Sequence, residues 1–118
     1  MAATPVIQST GNLAAQNGTA SLPATANVTN SLCGFSVTGG GATAASIVQV
    51  TITGLIGGIP LAFQIAVPQG ANNGISTLIV NFPTAIPASA QNSPIVLNMP
   101  SFGAGNTNAV GNIWGFFQ

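Results

Sequence analysis

The chain has 118 residues, 47% of them apolar, and contains no Asp, Glu, Lys, Arg, His or Tyr. An ordinary globular domain carries about 25% charged residues, so the absence bears directly on function: apart from Cys33 no side chain can relay a proton for general acid–base catalysis, and no carboxylate, imidazole or amine side chain is present to activate a hydroxyl nucleophile. The carboxylate and imidazole ligands of metal sites are missing, as are the Lys and Arg that neutralise phosphates, which leaves a non-enzymatic structural or binding role with no cofactor, no metal and no nucleic-acid partner.

Residues 1–30 hold mostly Ala, Thr, Ser, Asn, Gln and Gly, with Pro5 and Pro23 and a few scattered apolar side chains. They show neither a helical period nor a clean alternation. The reading is an extended N-terminal arm. Ordering backbone costs about 1–2 kcal/mol per residue, and this segment has few large groups to offset that cost within its own domain. Val6, Ile7, Leu13 and Leu22 would therefore anchor it against another subunit. The segment lacks the basic and long apolar regions of a secretory signal. No run approaches the ~20 apolar residues of a membrane helix; the longest, 55–63, is broken by Gly57, Gly58 and Pro60. The sequons at Asn17 and Asn27 read as coincidental.

From residue 31 the period becomes two. Cys33, Phe35 and Val37 alternate with Gly34, Ser36 and Thr38, until Gly39-Gly40-Gly41. Val48, Val50 and Ile52 alternate with Gln49, Thr51 and Thr53. Leu61, Phe63, Ile65 and Val67 form the next run, then Leu78, Val80 and Phe82 until Pro83, then Ile95, Leu97 and Met99. Residues 113–117 close the set. β-branched residues dominate, and Gly, Pro and Asn separate the runs. The pattern predicts an all-β protein: residues 31–118 form an antiparallel β-sandwich of about six short strands. Phe63, Ile65, Val80, Phe82 and Leu97 should face its core, with Thr51 and Gln64 on the opposite faces.

Four features raise chemistry and fall short of it. Cys33 is the only cysteine; it has no cation or base beside it in sequence and reads as a small buried hydrophobe. The Gly39-Gly40-Gly41 run lacks the Lys of a phosphate-binding loop and reads as a flexible strand connection. Thr51-Ile52-Thr53 is a single triplet without the repeat of an ice-binding face. Trp114, Phe116 and Phe117 could stack on a sugar or anchor an interface.

The stretches Val50-Thr51-Ile52-Thr53-Gly54-Leu55, Phe82-Pro83-Thr84-Ala85-Ile86-Pro87-Ala88-Ser89 and Gly103-Ala104-Gly105-Asn106-Thr107-Asn108 resemble those of small, charge-poor proteins of tailed-phage virions. The resemblance runs from Val50 to Gln118. It implies a capsid decoration (cement) protein, bound in many copies to the outer head shell. Its partners would be copies of itself and a major capsid protein. An extracellular filament subunit using donor-strand exchange, and a carbohydrate- or receptor-binding module, stay open beside it.

One expectation follows from composition alone. Cys33 is the sole titratable side chain, so folded and unfolded chains bind nearly equal numbers of protons. Stability should be almost flat from about pH 3 to pH 7.5. Urea titrations across that range should return superimposable midpoints.

Overall fold

The computed structural model describes residues 3–118. These form eight strands: β1 (Thr4–Ser9), β2 (Gly18–Leu22), β3 (Asn30–Gly40), β4 (Ser46–Thr53), β5 (Leu61–Val67), β6 (Leu78–Pro87), β7 (Ile95–Met99) and β8 (Asn108–Phe117). All pairings are antiparallel and give two four-stranded sheets, β1-β8-β3-β6 and β2-β7-β4-β5. Successive strands switch sheets except at the β4–β5 hairpin. This order is a jelly roll of two interleaved Greek keys. The body is elongated, 49 × 23 × 22 Å. One pole carries the β1–β2, β3–β4, β5–β6 and β7–β8 connections, and the other carries the remaining three.

The sandwich closes because each sheet has one apolar face. Leu32, Phe35, Val37, Ala109 and Ile113 from one sheet meet Leu22, Val50, Ile52, Ile95, Leu97 and Met99 from the other, all buried. The Phe35 ring lies 4.9 Å from that of Phe63 and 6.4 Å from that of Phe82, a tilted aromatic cluster between the sheets. The alternation in β4 and β5 has the expected phase: Ile52 and Ile65 are buried, and Thr53 and Gln64 are exposed. Phe63, Val80 and Phe82 face the core but are only half-buried.

Three expectations are revised. There are eight strands, two of which come from residues 1–30. Thr4–Ser9 pairs with β8 and Gly18–Leu22 with β7, so each supplies an edge of the chain's own sandwich, which starts near residue 4 instead of 31. Val6 packs against the core, and Leu13 and Leu22 are buried in it; of the four supposed anchors only Ile7 is well exposed, at 69%. Cys33 is half-buried instead of buried. A bulge between Leu32 and Gly34 shifts the side-chain phase by one residue, so Leu32 and Phe35 both point inward and Cys33 does not share their face. Finally, β6 does not stop at Pro83. It is an edge strand, where a missing N–H is tolerated, and it resumes pairing with β3 at Ile86 and Pro87 after arching away across 82–85.

Leu22 tests the placement of the first 30 residues. Leu22→Ala should cost about 2–5 kcal/mol, by lost transfer energy plus a cavity, as read from the chemical unfolding midpoint of the isolated protein. An arm residue seated on another subunit would leave that midpoint unchanged.

Candidate assembly surface

With most inward positions spent on the core, function falls to the two outer faces, the two poles and the edges. The outer face of β2-β7-β4-β5 carries mostly neutral polar groups around Ile47, which is 72% exposed. Thr19, Asn98, Thr51 and Ala62 form one cross-strand row, and Gln49 and Gln64 stand opposite each other in another. Its hydroxyls on β2 and β4 (Thr19, Ser21, Thr51 and Thr53) are separated by Asn98 and Val96 of β7, so they form no continuous array.

The outer face of β1-β8-β3-β6 is different. Register sets Ile7 beside Trp114 and Pro5 beside Phe116, with Trp114 in turn opposite Gly34 of β3. A Cβ on Gly34 would lie 2.7 Å from Trp114 Cζ2 and 2.9 Å from Cε2. The indole therefore lies across the Gly34 backbone, and glycine is what lets it lie flat. Ile79 of β6 is 59% exposed on the same face. It stands opposite Ser36, which accepts a hydrogen bond from Asn112 Nδ2 at 3.2 Å. The result is an apolar edge of Pro5, Ile7, Trp114 and Phe116, bordered by a neutral amide–hydroxyl pair.

Of the three C-terminal aromatics, the structure brings Trp114 and Phe116 together. Phe117 follows them by one residue and turns to the inner side by strand alternation, opposite Asn30. Ile7 joins the pair; its proximity to Trp114 was not readable from the sequence, because it depends on the β1–β8 register. Val6, Leu13 and Leu22 take no part in this surface.

Both poles are tied by asparagines. Asn106 is 3% exposed. Its Nδ2 donates to the carbonyls of Gly40 at 2.6 Å and Asn108 at 2.9 Å, and its Oδ1 accepts from the Ala15 amide at 3.1 Å. Beside it Gly39, Gly40 and Gly41 line an open cleft of about 330 Å³ with Asn72, Asn73 and Thr107. The run is not a free connection: Gly39 and Gly40 end β3, and Gly41, at φ +87°, would place a Cβ 2.5 Å from Thr107 Oγ1. At the other pole Asn30 Nδ2 donates to the carbonyls of Leu22, Pro23 and Ser93.

No protein-family model matches this chain, and comparison with curated proteins finds no match.

Gly34→Ala should destabilise the protein by about 1–3 kcal/mol through overpacking, since its methyl would also press on the Val80 carbonyl at 2.5 Å. Trp114 is the only tryptophan, so its emission maximum should shift to the red as the indole lifts into water.

Proposed function

We propose that this chain is a non-enzymatic structural subunit of a virion, a head decoration (cement) protein, which packs in many copies against neighbours and the outer shell through the outer face of β1-β8-β3-β6. The observation that carries the reading is the edge of exposed Ile7 beside half-buried Trp114 and Phe116 on a molecule without a charged side chain. Contiguous apolar surface marks an interaction site, and large aromatics are typical of interface centres. A neutral surface lets identical copies approach without repulsion or stranded charge, and net charge near zero favours association. The jelly roll supports the reading at the level of architecture, being common to capsid and lectin domains. By that same analogy a glycan-binding role is the second reading, favoured by the half-buried Trp114 ring beside the Asn112 amide.

Electron microscopy of the native source should show the protein as a regular layer on a particle shell. In vitro, Trp114 emission should move to the blue as assembly proceeds. Ile7→Ser with Phe116→Ser should abolish packing into the layer and leave far-ultraviolet circular dichroism unchanged. Assembly should vary little between about 0.05 and 1 M salt, because screening has no charge pairs to act on. Saturable binding to a glycan array without self-association would replace this function with the second.

A further inference from the structure

Four strands have a free edge: β1 and β6 in one sheet, β2 and β5 in the other. A free edge offers unpaired N–H and C=O groups to any other strand. Proteins blunt such edges with Lys, Pro, bulges or short length. Lysine is absent here, so the other devices must serve. β1 contains Pro5, and β6 contains Pro83 and Pro87 and arches out of register. β2 has only five residues and runs directly into Pro23. β5 has no such device. Its seven residues contain neither Pro nor Gly, and its register on β4 is unbroken from Ser46↔Val67 to Ile52↔Leu61.

The same side of the sandwich is unfinished. Leu61 and Phe63 on β5, and Leu78, Val80 and Phe82 on β6, point inward yet stay half-buried. Most inner residues of the central strands β3, β4, β7 and β8 are buried, with Val48 and Phe117 the half-buried ones toward strand ends. On the opposite side β1 and β2 lie against each other and close the seam.

We propose that β5 is where a second copy of this chain joins, by antiparallel strand addition across a two-fold axis at Gln64. The occupant is argued from the strand's own symmetry. Reflected about Gln64, the segment from Pro60 to Pro68 sets Phe63 against Ile65, Ala62 against Ala66 and Leu61 against Val67, with a proline ending each side. Inward apolar groups meet inward apolar groups, and the small outward Ala residues meet each other. Gln64 meets Gln64, and an amide both donates and accepts, so it can pair with itself; a charged residue would face its like. An isologous contact demands this self-complementarity. Main-chain bonds would then join the two β2-β7-β4-β5 sheets into one of eight strands. A two-fold axis normal to the sheet keeps both inner faces on the same side. The two β6 strands thereby approach each other over the seam and cover Leu61 and Phe63.

This proposal rests on the reading of the chain as a self-associating subunit, but it uses a surface separate from the Trp114 edge. Light scattering on the full chain should give twice the 11.6 kDa chain mass, and that dimer should persist in Ile7→Ser with Phe116→Ser. Gln64→Lys places like charges opposite each other and should yield a folded monomer. Directly opposed residues in antiparallel strands have Cα atoms about 4.5–5.5 Å apart, within disulfide reach. In a Cys33→Ser background, Gln64→Cys should therefore cross-link two copies on oxidation, while Gln49→Cys, its partner on the paired side of β5, should not. A wild-type chain that stays monomeric at its solubility limit overturns the proposal. So does a dimer that Gln64→Lys leaves intact, or cross-linking through Gln49→Cys but not Gln64→Cys. Loss of the regular layer with retention of the dimer would count against the shell role alone.

Discussion

A chain with no ionic side chain must satisfy its buried polar groups with backbone and neutral amides. In this molecule the sheets take most of that load, and asparagine takes what the sheets leave over. Where an ordinary protein might close a loop cluster with a buried Arg or Asp, Asn106 holds the Gly40, Asn108 and Ala15 backbones together, and Asn12 does the same for Ala109 and Thr107. At the other pole the Asn92 side chain accepts from the Asn27 amide at 2.6 Å. A carboxamide suits this task because it donates and accepts on one planar group and carries no Born cost into the interior. The solution is incomplete at Asn30, whose amide nitrogen serves three carbonyls while its Oδ1 is buried without a partner. A lone neutral acceptor costs far less than a lone ion, so the fold tolerates it.

The same constraint shapes the exterior. Edge strands lose lysine as a safeguard, and all but β5 fall back on proline, a broken register or brevity. Faces lose charge as a marker, so the two sheets differ in which apolar groups they show: one sets Ile47 among hydroxyls and amides, the other carries an aromatic edge. Specificity in such a molecule has to come from shape and register.

Period-two alternation located β4, β5, the first half of β6 and β7 because each puts several branched or aromatic residues on one side. It could not find β1 and β2. Thr4–Ser9 and Gly18–Leu22 are edge strands with few inward apolar groups, and their pairing with β8 and β7 is set by partners about 100 and 80 residues away. Nor does alternation reveal a bulge, so a strict period of two puts Cys33 on the same face as Phe35, where the bulge between Leu32 and Gly34 does not. Trp114 and Phe116 were legible as candidate interface residues from their type and spacing. Their partner Ile7 was not, since nothing local in the sequence ties residue 7 to residue 114. The β6 arch is equally hidden: Pro83 looks like a strand end until the neighbouring strand is known to be on one side only.

The β1–β8 ladder also fixes how the molecule responds to mechanical load. Thr4 lies opposite Phe117 and Ser9 opposite Asn112, so residues 4 and 117 sit at the same end of two neighbouring antiparallel strands. Tension applied between them does not shear the ladder, where many hydrogen bonds would resist at once. It opens the strands like a zipper, loading one cross-strand pair at a time from Thr4 inward, so β1 peels from β8 under less force than a pull along the strands would need.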